Sequence, residues 1–92
     1  MSLRRKISVV IPALNEEKSI GRVIDSIPVD VLRRMGFDVE VLVVDGASED
    51  RTREIAVRKG ARVVVEPRRG YGRAYMTGFR YASGDIVVTG DA

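Results

Sequence analysis

The sequence predicts an α/β fold: a four-stranded parallel sheet with helices on both faces. Three observations carry this. Four short apolar runs, at residues 7–11, 39–44, 61–65 and 85–89, are continuous rather than alternating, as in strands buried on two sides. Segments with helical apolar spacing separate them. The resulting βαβαβαβ order favours a parallel sheet with right-handed crossovers.

The elements follow in order. Residues 7–11 form the first strand, which Pro12 ends. Asn15, Glu16 and Glu17 place acids in a helix's first turn, where the helix dipole favours them. Ile20, Val23, Ile24 and Ile27 recur at helical spacing, so a helix spans about 16–26. Pro28 stops it, and Val31, Leu32 and Met35 add a further helical turn before Gly36. The second strand, 39–44, ends at Asp45. Ser48 is read as the N-cap of a helix over 49–59, with Gly60 as its stop. The third strand is 61–65. Gly70 and Gly72 open a third helix whose inner face holds Ala74, Tyr75, Gly78, Phe79 and Ala82. Ser83 and Gly84 end it, and 85–89 is the fourth strand.

Composition narrows the chemistry. The chain has 92 residues, 45% hydrophobic and 32% charged, the balance of one small globular domain or half of a larger one. It has neither Cys nor His. Disulfides, thiol chemistry and the commonest acid–base side chain are therefore absent. The formal net charge of +3 is too modest, and the aromatics too few, for a nucleic-acid face. No run approaches the ~20 apolar residues of a membrane span, and no signal-peptide pattern appears, so the chain is expected to be soluble and cytoplasmic.

The strands' carboxyl ends share one sheet edge, where α/β proteins bind ligands. That brings Glu16, Asp45 and Asp91 to a common rim. Each acid taken singly is equally well a helix cap or a solvated strand end. Together they favour a site for a divalent metal, Mg²⁺ or Mn²⁺, and a phosphorylated ligand. Gly70-Tyr71-Gly72 begins like a dinucleotide fingerprint, but it lacks the third glycine and follows the third strand instead of the first. Those glycines fit a sharp turn or a close approach of backbone to ligand. Arg68, Arg69 and Arg73 beside them suit either phosphate contact or a solvated helix start.

Four blocks resemble a known family. Residues 7–17 (Ile-Ser-Val-Val-Ile-Pro-Ala-Leu-Asn-Glu-Glu) resemble the opening of the family 2 glycosyltransferases, and residues 43–52 (Val-Val-Asp-Gly-Ala-Ser-Glu-Asp-Arg-Thr) resemble their second block. Residues 70–75, then Gly78 and 82–88, resemble the third block of dolichol-phosphate mannose synthases and related polyprenyl-phosphate glycosyltransferases. Asp91-Ala92 matches the start of the Asp-x-Asp motif. The resemblance covers nearly the whole chain.

It implies the Rossmann-like half of a GT-A fold with strand order 3-2-1-4. Residues 1–92 would be the nucleotide-sugar-binding N-terminal part of a glycosyltransferase catalytic domain, cut at the Asp-x-Asp motif. Pro12, Ala13, Asn15, Glu16, Asp45, Gly46, Arg69, Gly70, Gly72 and Asp91 would bind a UDP- or GDP-linked sugar. Asp91 would also hold Mg²⁺ or Mn²⁺. The second of the family's paired acids is Gly46 here, which bears on the choice of base. Residues that activate the acceptor would lie beyond position 92, so none within the chain is assigned a catalytic role, and the chain by itself is expected to be inactive. The whole protein would use an acceptor such as a polyprenyl phosphate and would associate with the membrane on its cytoplasmic side. Two alternatives stand beside this: a sugar-phosphate nucleotidyltransferase-like domain, disfavoured by the acidic turn at 12–17, and a non-catalytic nucleotide-binding or interaction module. The last strand is expected to be an exposed apolar edge that promotes self-association.

Overall fold

The structure is a computed structural model and describes residues 4–91. The elements run β1 (Arg5–Ala13), α1 (Ile20–Asp25), α2 (Val29–Arg34), β2 (Phe37–Asp45), α3 (Thr52–Arg58), β3 (Arg62–Val65), α4 (Tyr71–Tyr81) and β4 (Ile86–Thr89). The four strands form one parallel sheet in the order β3-β2-β1-β4. Both the predicted class and the strand order are present.

Two cores flank the sheet. Ile7, Val9, Ile11 and Ala13 of β1 join Val41 and Val43 of β2 on one face, where Ile20, Ile24 and Ala56 cover them from α1 and α3. Val10, Leu42 and Val44 face the other way, against Ala74 and Tyr75 of α4. The continuous apolar runs therefore split with period two between two helical layers. Gly78 lets α4 approach closely, since a Cβ there would sit 2.3 Å from Val10 Cγ1.

Several boundaries differ from the sequence reading, each for a local reason. β1 continues through Pro12 to Ala13. Val10 accepts the Gly90 N–H on the β4 side, and pairing with β4 stops at that point, so the missing Pro12 N–H disrupts no ladder bond. α1 starts at Ile20, not near Glu16. The Glu16 N–H donates to Thr52 Oγ1 and the Glu17 N–H to Asp50, which ties this stretch to the loop after β2. Ser48 does not cap α3. Asp50 accepts the Thr52 N–H at the start of that helix, and Ser48 turns inward. Phe79, assigned to the inner face of α4, is 48% exposed and extends a stacked series of Tyr71, Tyr75 and Phe79.

A polar clasp closes the end of the sheet away from the strands' carboxyl edge. Glu40 accepts from Ser8 Oγ (2.6 Å), from the Ser83 N–H (2.8 Å) and from Ser83 Oγ (2.9 Å), and Ser8 Oγ accepts the Gly84 N–H. Burial alone would push the Glu40 pKa up, but these donors and the charge of Lys6 hold it down at about 2. A lowered folded-state pKa means that this contribution to stability is complete above the ordinary carboxylate value and is lost as pH falls from about 4.5 towards about 2. The expected outcome is that Glu40→Gln is less stable than the parent at pH 7, and that the gap in urea midpoint narrows between pH 4.5 and pH 2.

Among the described residues β4 pairs on one side only, and its Val87 and Val88 are 40% and 47% exposed. An apolar, unpaired edge invites pairing with another chain. Sedimentation velocity should show concentration-dependent self-association, reduced by Val88→Lys. A monomer at every concentration would contradict this.

Candidate functional site

A cavity of about 690 Å³ opens where the strands end. Pro12 and Ala13 at the end of β1, Leu14 and Glu16 after it, and Val44 and Gly46 at and beyond the end of β2 line one part of it. Glu66, Arg68, Arg69 and Gly70 line it from the β3–α4 connection, Tyr71, Ala74 and Tyr75 from α4, and Asp91 from beyond β4. All four strand ends contribute, as the carboxyl-edge rule requires.

The register explains this gathering. β1 and β2 pair residue for residue from Arg5↔Phe37 to Ala13↔Asp45. Past that pair the Gly46 N–H still donates to the Ala13 carbonyl (2.8 Å), and the Glu66 N–H donates to the Asp45 carbonyl (2.8 Å). The three chain ends thus leave the sheet side by side. Gly70, at φ 109°, then turns the chain into α4 with a backbone angle that L side chains rarely adopt.

Of the residues singled out from sequence, Pro12, Ala13, Glu16, Gly46, Arg69, Gly70 and Asp91 line the cavity. Asp45 does not. It shares the parity of Val41 and Val43, so its side chain points to the α1/α3 face, whereas Val44 points into the cavity. Asp45 is 0% exposed and accepts from the Ser48 N–H (2.9 Å), Ser48 Oγ and Arg53 Nη1 (2.7 Å). Asn15 sits at φ 52° and braces the loop: its N–H donates to Ser48 Oγ and its Oδ1 accepts the Glu49 N–H. Gly72 lies in the first turn of α4, outside the lining. Ala92, second in the predicted motif, lies outside the described residues.

The sequence reading missed Glu66. It follows an apolar run at the same edge as Asp45 and Asp91, and that placement was the available signal. Its carboxylate grips Arg68 in a fork, with Nη2 at 2.6 Å and Nε at 3.1–3.2 Å, and accepts Thr77 Oγ1 at 2.8 Å. The Arg68 hydrogen bonds and then the Thr77 hydroxyl hold its pKa down at about 2. Tyr75 was assigned to the core but has a second role, because its hydroxyl donates to Asp91 Oδ1 at 3.4 Å. Burial, and then the Asp91 charge, raises the phenol's pKa, so it stays a protonated donor at neutral pH.

Asp91 is the residue that the sequence reading expects to hold a metal, and its carboxylate stands at the cavity rim. Among the described residues it is not grouped with two further carboxylates. One carboxylate suits a hard cation shared with ligand phosphates, not one enclosed by protein alone. The cavity thus combines an apolar wall with carboxylates, Glu16, Glu66 and Asp91, and two arginines, Arg68 and Arg69.

Residues 8–92 match the model of the family described as Glycosyl transferase family 2. The chain belongs to that family. This family 2 chain is 43% identical over 86 residues to a low-salt glycan biosynthesis hexosyltransferase of Haloferax volcanii, covering 94% of itself and 20% of the relative. It is 41% identical over 93 residues to an undecaprenyl-phosphate 4-deoxy-4-formamido-L-arabinose transferase of Edwardsiella ictaluri, covering 94% and 28%. It superposes with a TM-score of 0.79 and 43% identity on glucosyl-3-phosphoglycerate synthase of Mycobacterium tuberculosis, solved with Mn²⁺, UDP and glucosyl-3-phosphoglycerate, over 95% of this chain and 33% of that one. Its sheet order is that of the GT-A glycosyltransferases. The family 2 chain spans about a third or less of the length of these relatives. Among the described residues, no helix is long and apolar enough to cross a membrane.

The buried Asp45 changes what its substitution reports. Asp45→Ala removes the carboxylate from Arg53, which keeps only the Ser48 carbonyl, and leaves the buried Ser48 N–H unsatisfied. Urea unfolding should show a loss of about 1–3 kcal/mol, the cost of a buried donor left unpaired. An unchanged midpoint would mean that the network contributes nothing.

Proposed function

We propose that this chain forms the donor-nucleotide-binding part of a glycosyltransferase and holds a UDP- or GDP-linked sugar in the cavity at the strand ends. The observation that carries the reading is the composition of that cavity, with Asp91 and the arginines on one wall system with Pro12 and Ala13. A chain 43% identical, solved with Mn²⁺ and UDP, supports it.

Pro12, Ala13 and Leu14 would flank the base, and Glu16 would accept hydrogen bonds from the nucleoside. Arg68 and Arg69 would meet the diphosphate, because guanidinium matches phosphate oxygens in charge and shape. Gly46 and Gly70 would let backbone approach the ligand closely. Asn15 and Asp45 would act from behind by fixing the loops after β1 and β2, and Gly72 by shaping the start of α4. Asp91, steadied by Tyr75, would hold Mg²⁺ or Mn²⁺. When bound, such a cation neutralises charge on a departing nucleoside diphosphate.

In the whole protein the sugar would pass to an acceptor, with polyprenyl phosphate as the class the sequence favours. One relative is named for undecaprenyl phosphate, and another was solved with glucosyl-3-phosphoglycerate. Both names contain a phosphate group, which makes a phosphate-bearing acceptor the common proposal. Membrane association of the whole protein belongs to the same reading.

Calorimetry with UDP, GDP and UDP-glucose tests the donor reading. Binding should strengthen about tenfold or more with Mn²⁺, a gain of about 1.4 kcal/mol. Asp91→Ala should remove the metal-dependent part and leave nucleoside binding in place. No heat with any of these ligands at millimolar concentration would overturn the proposal.

A further inference from the structure

We propose that Glu66, together with Thr77, is a positioning residue that sets the Arg68 guanidinium at the cavity rim to meet the diphosphate of a nucleotide donor. This rests on the donor-binding reading of the cavity and adds to it the means by which one arginine is prepared.

Three elements fix the carboxylate. The Glu66 N–H is bound to the Asp45 carbonyl at the end of β2 (2.8 Å). Thr77 Oγ1, from the second turn of α4, donates to Oε1 (2.8 Å). The Arg68 backbone N–H donates to Oε2 (3.1 Å). Glu66 follows the parity of Val64, which packs on the α4 side, so its side chain points towards Thr77 and the cavity. The Glu66 side chain is only 7% exposed, while that of Arg68 is 63% exposed.

The fork occupies the Nε and Nη2 edge of the guanidinium. Nη1 has no partner among the described residues. Because the group is planar and rigid, holding one edge fixes the direction of the other. An arginine held this way loses little further side-chain freedom when it binds an anion, whereas a free one gives up most of its rotamer entropy at that moment. Arg69 lines the same cavity and makes no ion pair among the described residues. The neighbouring arginines therefore differ in preparation: Arg68 is held ready and Arg69 must be ordered by the ligand.

A purely structural ion pair would stabilise the loop and leave ligand preference untouched. The two roles separate in the ratio of UDP to uridine affinity, measured by NMR titration of the full chain in Mg²⁺. Arg68→Ala should weaken UDP binding about tenfold and leave uridine unchanged. Glu66→Gln keeps the volume but loses the charge that grips the fork, and should weaken UDP about threefold or more with uridine unchanged. Thr77→Val should reduce UDP affinity and Thr77→Ser should restore it, which keeps the test decisive if Glu66→Gln does not fold. Parental UDP affinity in Arg68→Ala, or UDP and uridine weakened equally in the Glu66 and Thr77 variants, overturns this inference alone. A parent chain that binds neither UDP nor GDP overturns the donor-binding reading and this inference with it.

Discussion

The nine-residue parallel pairing of β1 with β2 is the constraint on which the rest of the structure depends. It is the longest ladder in the sheet, and it runs through the centre of both cores. Because the register is unbroken to Ala13↔Asp45, the connections after both strands leave at the same height. Gly46 and Glu66 then extend the hydrogen bonding past the strand ends. The floor of the cavity is a continuation of the sheet's own backbone order. A slip of one residue would exchange the two faces, put Asp45 into the cavity and bury Val44 beneath α3.

Period-two geometry also divides labour between the faces. On the α1/α3 side, Asp45, Ser48, Asn15, Asp50 and Thr52 bond to one another's loops and fasten the turn after β1 to the turn after β2. On the α4 side, Val44, Glu66, Ala74 and Tyr75 present an apolar and ionic lining. Acids that look alike in the sequence therefore do different work. Asp45 is spent on architecture, and Asp91 faces the open space.

Much of the fold was legible because the strands are simple. Runs such as residues 7–11 and 39–44 carry β-branched residues on both faces, which leaves no rival period to confuse them. The strand ends followed once the carboxyl-edge rule was applied. What escaped depends on long-range partners. The late start of α1 is set by Thr52 and Asp50, more than thirty residues away. The turned-in Ser48 is set by the buried Asp45 carboxylate, which local N-cap preference does not register. The continuation of β1 through Pro12 depends on where β4 stops pairing. Phe79 has helical spacing suited to the core, yet the residue that seats α4 is Gly78, whose lack of a side chain decides which line of the helix touches Val10. Glu66 was legible by position, and its grip on Arg68 was not, since a two-residue separation carries no preferred geometry outside regular structure.

The contact of Gly78 with Val10 also has a mechanical consequence. The helix backbone rests on Val10 and Val44 at Gly78, in the C-terminal half of α4, with no glycine side chain to act as a spring. Such a point behaves as a fulcrum: α4 can rock or roll about it, but it cannot sink towards the sheet. Any widening of the cavity by this helix would then appear as a tilt about Gly78, large on the long arm to Tyr71 and small on the short arm to Tyr81. The mouth of the cavity and the far end of the sheet, where Arg62 holds the Tyr81 carbonyl, are opposite ends of one lever.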